Sequence, residues 1–502
     1  MLAAFLVAVA GSQPVSAQRP GLAAVLEPAQ AAREKGIGAA KFIPSYAICY
    51  SDAVGARPPE ETARFDMLIA SFGRHSARAW GRAGANSWET LRRMNPALTV
   101  ALYAMGPGEY NTASWGQIGD GWNWLTARHG KHSADRWAAL GQKSGGYLRA
   151  RPYPNERLME LGNSSWRHYW IASILADYWG GRKAIDCRGA DALFSDNTQY
   201  RMIWSGQWLM EGKPDRPDEP VPADRDARPL KDHWHNDVNQ FLAEAVPAFR
   251  ARGLKLVINF GYMGQHPEYW RELDAQPNPP YAAMEEGGFV CPWGGDQRSF
   301  KCYDWEKRLD VLRGMRKVKV LMNNHGGPFA GEGLARMDTA DAQGTTGWDA
   351  LWFALGSFLL GYDDVSRNAL LNFTAWGYRE YHWFDEFDPA YLHLGRARGD
   401  RIKSGKAFLR EFDDGWVAVN PGKERLVGLR VPGGRARVLD HRNFKNWSNA
   451  PLVGSFDLAP MRGVVLLHEG RAAGNTDNLD KPDRPEKREQ PGELPGLLRS
   501  SR

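Results

Sequence analysis

Residues 190–197 read Ala190-Asp191-Ala192-Leu193-Phe194-Ser195-Asp196-Asn197, a short apolar run that ends in a carboxylate and an amide. As a strand it puts Ala192, Phe194 and Asp196 on one face and Leu193 and Ser195 on the other. A long amphipathic stretch from Ser165 to Trp179 leads into it. A strand fed by a helix and closed by a polar turn is the repeating unit of a parallel β/α fold.

The same unit recurs on both sides. Apolar runs at Ala39–Pro44, Phe65–Gly73 and Leu98–Gly106 precede it, and runs at Leu254–Gly261, Tyr281–Gly287, Val318–Asn324 and Ala369–Phe373 follow. Helix-like stretches at Trp88–Met94, Val238–Arg252, Asp304–Met315 and Trp348–Gly361 stand between them. Eight strands in this alternation predict an α/β chain built as a closed (β/α)8 TIM barrel over residues 36–395. No G-x-G-x-x-G follows the first run, which argues against an open dinucleotide-binding sheet. Two long insertions, Glu109–Asn163 (rich in Trp, Tyr and Gly) and Tyr200–Trp234 (rich in Pro and Asp), leave the C-terminal ends of the third and fourth strands. That end carries the active site of such barrels.

Past residue 400 the periodicity changes to two. Ala407–Phe412, Trp416–Asn420, Leu426–Arg430, Arg437–Asp440 and Gly463–His468 predict a small antiparallel β-sandwich over 400–469. Residues 470–502 are dense in Pro and in charges of both signs, and predict a disordered tail. At the other end, Leu2–Ala10 followed by Val15-Ser16-Ala17 predicts a secretory signal over 1–17, hence a secreted or periplasmic protein. Export permits disulfides among Cys49, Cys187, Cys291 and Cys302; Cys291 and Cys302 close a short loop, but all three pairings remain open.

The 502 residues are 43% hydrophobic and 24% charged, enough for a sizeable core. A net charge of +6 with no basic cluster gives no reason to expect nucleic acid as a partner. Mean hydropathy is −0.51 and no run of 18 apolar residues occurs, so no membrane span is expected. The 21 Trp, 17 Tyr and 20 Phe suit either a large aromatic core or faces on which sugar rings stack.

The chemistry lies at the strand ends. Asp196 ends the fourth strand with Asn197 beside it, either to meet a ligand or to cap the next helix. Glu285 and Glu286 end the sixth. Neighbours on a strand face opposite ways, and Met284, being bulky, reads as packed outward under a helix, which turns Glu285 inward; Glu286 is the alternative. Two carboxylates across a barrel mouth are what glycosidic bond cleavage needs. Asp196 is then the nucleophile and Glu285 the acid/base. Tyr50 and Asp52 after strand one, Arg74 after strand two, Asn259 and Tyr262 after strand five, Asn323, Asn324 and His325 on strand seven, and Asn372 and Trp376 at strand eight would, with Asn197, line a sugar site. A rival reading takes Asp232-His233-Trp234-His235, with His266 or His325, as a metal site for a hydrolase or deacetylase. No G-x-S-x-G elbow and no P-loop occur.

Several stretches carry a resemblance. Arg92-Arg93-Met94-Asn95-Pro96 leads into LTVALYAMG, GADALFSDN (189–197) is close to a D-G-x-F-x-D-N strand with Ala192 where Gly is usual, and WRHYWIASILADYW and WFALGSFLLGYDD flank them. Together they make roughly residues 39–380 resemble the hypothetical glycosyl hydrolase fifteen group, and more loosely the retaining barrels with a nucleophile on strand four and an acid on strand six. The resemblance implies a glycoside hydrolase without cofactor, with Asp196 and an acid at Glu285 or Glu286. The Trp-rich insertion adds the expectation of several subsites and a polymeric carbohydrate. A barrel that binds carbohydrate without cleaving it is the competing expectation.

Overall fold

The computed structural model describes residues 41–50, 57–71, 88–110, 122–175, 190–203, 205–213, 215–223, 225–290, 304–326, 335–341, 344–374, 378 and 380–471. Eight parallel strands stand side by side in chain order: β1 (Tyr46–Cys49), β2 (Met67–Ser71), β3 (Thr99–Met105), β4 (Ala192–Asp196), β5 (Lys255–Asn259), β6 (Ala282–Glu285), β7 (Lys319–His325) and β8 (Ala369–Thr374). The ring is drawn shut between β8 and β1 by a parallel bridge from Ser45 to Leu371 and by the Leu371 N–H donating to the Pro44 carbonyl at 2.9 Å. Around it run helices α1 (Pro59–Ala63), α2 (Trp88–Met94), α3 (Ser164–Leu175), α4 (Trp234–Ala251), α5 (Pro267–Ala275), α6 (Trp305–Gly314) and α7 (Gly347–Gly361).

Alternation along each strand divides the apolar residues into two cores. Ile48, Ile69, Ala101, Phe194, Val257, Ala282, Met284, Leu321 and Leu370 fill the barrel. Leu68, Leu102, Leu193, Ile258 and Val320 face outward and meet Trp170, Phe241 and Trp270 of the helices. Each of the larger side chains contributes about 1.5–3 kcal/mol on burial, so the parity of the strands is strongly set.

Strand one lies further along than Ala39–Pro44. Pro44 has no N–H to give a ladder, and only beyond it do Tyr46 and Ile48 alternate inward with Ala47 and Cys49 outward. The other seven strands fall within a residue or two of expectation.

The insertions after β3 and β4 form one body. Gly108–Tyr110 pairs with Glu156–Leu158 inside the first insertion. Leu148–Ala150 of the first then pairs with Trp208–Met210 of the second, and Leu140–Gly141 with Pro220–Val221. Arg225 pins the two to the barrel's side, reaching Glu160 at 2.8 Å and Asp237 of α4 at 2.5 Å.

The C-terminal residues form a six-stranded antiparallel sheet in the order Ile402–Ser404, Ala407–Glu411, Gly415–Asn420, Arg462–His468, Ala436–Leu439 and Leu452–Val453. Leu426–Arg430 and Ser455–Leu458 make a second, two-stranded layer, with Leu409, Ala418, Phe456, Leu458 and Leu466 between. The other face of the larger sheet, through Val417, Val419 and Val465, joins the outer core at α7. That helix is apolar all round, and its end is closed by Arg410, which donates to the Leu359 and Tyr362 carbonyls at 2.8 and 2.5 Å. Contact is close: a Cβ on Gly463 would sit 2.4 Å from the Trp352 carbonyl oxygen of α7.

No helix among the described residues is long and apolar enough to cross a membrane. The expected signal (1–17), Cys187, Cys291, Cys302 and the tail from 472 onward lie outside the described residues.

Candidate active site

Asp196, the last residue of β4, faces the barrel axis with Phe194 and Ala192 below it. Its backbone is held where β3 ends. The Gly106 N–H donates to the Asp196 carbonyl at 3.1 Å, and a Cβ on Gly106 would stand 2.4 Å from that oxygen, so only glycine fits. The next residue, Asn197, has φ of 54°, a left-handed conformation that Asn tolerates. Its N–H turns back onto Asp196 Oδ1 at 2.9 Å. Tyr103 of β3 donates its hydroxyl to Asp196 Oδ2 at 2.6 Å, and Asn259 of β5 donates to Oδ1 at 2.8 Å.

The sixth strand departs from expectation. Met284 and Ala282 point into the barrel, so Glu285 points out and Glu286 points in. Glu285 is 2% exposed and closed into an ion pair: Arg308 of α6 donates to Oε1 at 2.6 Å and the Met263 N–H to Oε2 at 2.7 Å. Glu286 accepts from Asn259 Nδ2 at 3.0 Å and from the Tyr378 hydroxyl at 2.5 Å. Asn259 thus donates from one amide nitrogen to both Asp196 and Glu286. The two nearest carboxylate oxygens can be no further apart than those two bonds laid end to end.

The remaining candidates divide by strand parity. Asn323 and His325 of β7 and Asn372 of β8 face inward and continue the network. Asn372 donates to Asn323 Oδ1 at 2.6 Å, and Asn323 Nδ2 lies 2.9 Å from both His325 Nε2 and the Tyr378 hydroxyl oxygen. Tyr50 follows β1 and packs on Tyr103 and Tyr378 at centroid distances of 4.5 and 4.8 Å. Asn324 faces away: its Oδ1 accepts from the Phe289 and Val290 N–H groups at 2.7 and 3.2 Å, fixing the turn after β6. Tyr262 has the Arg201 guanidinium 5.3 Å over its ring. Asp52, Arg74 and Trp376 are outside the described residues. The rival histidines diverge. His233 pairs with Asp226 at 3.0 Å, His235 with Glu272 at 2.8 Å and His266 with Glu268 at 2.9 Å.

Sequence reasoning missed Tyr103, Tyr378 and Arg308. Tyr103 is the one phenol in the apolar run of β3, two residues before the strand end, which is a usable signal. Tyr378 lies four residues past the end of β8, where the sequence offers no signal.

The enclosed setting tunes the acids. Burial, then the charge of Asp196, pushes Glu286 up to about 7, against the bonds from Tyr378 and Asn259. Burial raises Asp196 too, opposed by its bonds from Tyr103, Asn259 and Asn197. The two titrate as a pair. Burial brings His325 down to about 4, so its ring is neutral at pH 7. Tyr50 and Tyr378 are raised, first by burial and then by the carboxylates, and keep their protons.

A (β/α)8 barrel with two facing carboxylates at the C-terminal ends of its strands has the layout of a glycoside hydrolase. The chain belongs to hypothetical glycosyl hydrolase family 15, which it matches over residues 92–416. Among solved structures it is similar to the trehalulose synthase MutB from Pseudomonas mesoacidophila MX-45, with 10% identity and a TM-score of 0.44 over 86% of this chain and 99% of that one. It is also similar to Kfla1895 solved with isomaltose (11% identity, TM-score 0.38, 88% of this chain) and to the alpha-galactosidase from Lactobacillus brevis (11%, 0.40, 88%). The chain spans 64% and 58% of the lengths of those two. Curated proteins give no match.

Proposed function

We propose that this chain hydrolyses glycosidic bonds in a polysaccharide with retention of configuration, with Asp196 as nucleophile and Glu286 as acid/base. The observation that carries the reading is the Asn259 amide bonded to both carboxylates at 2.8 and 3.0 Å. That bridge holds the nearest oxygens of the two groups within two hydrogen bonds of each other, a spacing that fits the roughly 5–5.5 Å of retaining enzymes better than the roughly 6.5–9.5 Å at which inverting enzymes leave room for a water.

The roles follow from the surroundings. Asp196 accepts three hydrogen bonds, which favour its anion. Glu286, held near 7, keeps a proton to give to the leaving oxygen at neutral or mildly acidic pH. Asp196 attacks the anomeric carbon as Glu286 protonates the departing oxygen, leaving a glycosyl ester on Asp196. Water enters, Glu286 takes its proton, and the ester is cleaved. Asn259 donates to both carboxylates and so positions both. Asn323, Asn372 and neutral His325 supply donors and acceptors to the sugar hydroxyls beneath.

The polymeric substrate rests on the large double insertion beside the mouth, and export rests on the apolar Leu2–Ala10 and Val15-Ser16-Ala17. The test is a polysaccharide screen for released reducing ends, with Asp196→Asn and an EDTA series beside the wild type. Release by the wild type alone, unaffected by EDTA, is expected. Binding without release, unchanged in the variant, would establish a carbohydrate-binding barrel instead. Release abolished by EDTA would establish the metal-dependent reading.

A further inference from the structure

We propose that Arg201, laid on the ring of Tyr262, receives an anionic group that the substrate carries beside the cleaved bond, so that the polymer cleaved is acidic, bearing uronic acid carboxylates or sulfate esters. The proposal rests on the carboxylate pair being the catalytic one.

Arg201 is exposed, and its guanidinium carbon lies 5.3 Å from the centroid of the Tyr262 ring. That ring is its one partner among the described residues. Other arginines of the two insertions are answered by carboxylates: Arg149 and Arg157 by Glu211, Arg225 by Glu160 and Asp237, and Arg228 by Asp226. A guanidinium stacked on an aromatic face keeps its in-plane N–H donors free, and two of them side by side match the oxygens of a carboxylate or a sulfate.

The pair belongs to the barrel mouth. Tyr262 stands three residues past Asn259, which is bonded to both carboxylates, and Arg201 stands five past Asp196. Three residues of chain reach no further than about 11 Å, a span that linked sugars bound over Asp196 can cover. The two loops touch: a Cβ on Gly261 would sit 3.3 Å from Gln199 Oε1. Each loop is tied from behind by a buried tryptophan. Trp234 of α4 donates its indole N–H to the Gln199 carbonyl at 2.8 Å, and Trp270 of α5 donates to the Gly261 carbonyl at 2.9 Å. Tyr262 itself has φ of 56°, a left-handed conformation that a bulky residue rarely adopts. It is kept there by the Met263 N–H on Glu285 Oε2 at 2.7 Å and by the His266 N–H on the Tyr262 carbonyl at 2.8 Å. Strain of this kind persists only where the surroundings over-determine it, and it collects at sites that clamp ligands. The ring thus presents a long, flexible cation on a fixed support, which lowers the cost of ordering it around an anion.

The experiment sets the wild type, Arg201→Met and Arg201→Lys against each polysaccharide cleaved in the screen, which includes polygalacturonate, hyaluronan and carrageenan. Each polymer is run beside the same polymer with its carboxyl groups reduced or its sulfate removed. The wild type is expected to show kcat/KM about tenfold or more higher on the acidic form, which is about 1.4 kcal/mol. Arg201→Met should lower kcat/KM on the acidic form about ten- to a hundredfold, about 1.4–2.7 kcal/mol, and remove most of the preference. Arg201→Lys should restore part of it, because the charge remains. Added salt should slow the wild type on the acidic form more steeply than it slows Arg201→Met. A preference held for the carboxylate polymers alone, or for the sulfated ones alone, says which group the arginine takes. Because Arg201 is exposed, both variants should fold. Equal wild-type rates on the two forms, cleavage of neutral polymers only, or equal fractional losses in Arg201→Met on both forms would overturn the proposal, while loss of release in Asp196→Asn would leave the carboxylate pair standing. Release from no polymer, or release undiminished in Asp196→Asn, would remove the hydrolase reading and this proposal together.

Discussion

Glu286→Gln separates the acid from its shape. Glutamine keeps a carbonyl for the Asn259 amide, and its NH2 can donate to the Tyr378 oxygen once that hydroxyl turns, so the network in the mouth survives. The change removes the proton-donating group and its titration. Glu286 moves from an ordinary 4.5 to about 7 in the fold, because burial and the Asp196 charge disfavour its anion. Between those values the native state holds a proton that the unfolded chain has released. Stability from this group is complete below 4.5 and is lost as the pH rises through about 7. At about 1.36 kcal/mol per unit the loss has a ceiling of about 3 kcal/mol, which at the usual unfolding entropy per residue is a Tm change of about 3 °C in a chain this size. The glutamine variant has no such loss. Melting both proteins at pH 5 and pH 8.5 should therefore show the variant gaining on the wild type at the higher pH. In activity, losing the acid should cost about 10²–10⁴ on sugars with poor leaving groups. A dinitrophenyl glycoside, whose phenolate departs unprotonated, should still be attacked. An unchanged melting difference at the two pH values, or wild-type turnover of the natural linkage, would refute the reasoning.

Other outcomes follow from the same geometry. Glu285→Gln should leave turnover within about twofold, whereas Arg308→Met should strand the buried Glu285 charge and cost about 3–5 kcal/mol in denaturant unfolding. Gly106→Ala forces a methyl onto the Asp196 carbonyl oxygen 2.4 Å away; displacement of that strand end should lower kcat far more than thermal stability, read from parallel kinetic and melting curves.

The barrel was legible because β2 to β7 are apolar runs of the right length, each closed by a nearby Gly or Asn. Asp196 was legible because it is a carboxylate that ends the apolar run of the fourth strand, with Asn197 beside it. The sixth strand shows where such reading runs out. The bulk of Met284 argues for the outside, yet the inner face carries Ala101, Ala192 and Ala282, and a flexible thioether fills the space those small residues leave. Bulk alone cannot decide the parity, and the structure exchanges which of the two adjacent glutamates faces the barrel interior. Arg308 could have corrected it: an arginine in the helix after β6, facing the barrel wall, needs a buried anion, and Glu285 is in reach. Tyr378 lies beyond the end of β8, where the sequence has no period to read.

The way α7 is shared between the barrel and the C-terminal sheet bears on how this chain could be taken apart. A helix with apolar residues on every side has no face suited to water, and Arg410 from the sheet is what satisfies its last carbonyls. A fragment ending near residue 395 would carry a bare apolar wall and should be recovered as aggregate. Any graft of this barrel onto another partner, in the laboratory or in descent, has to take the sheet along with it.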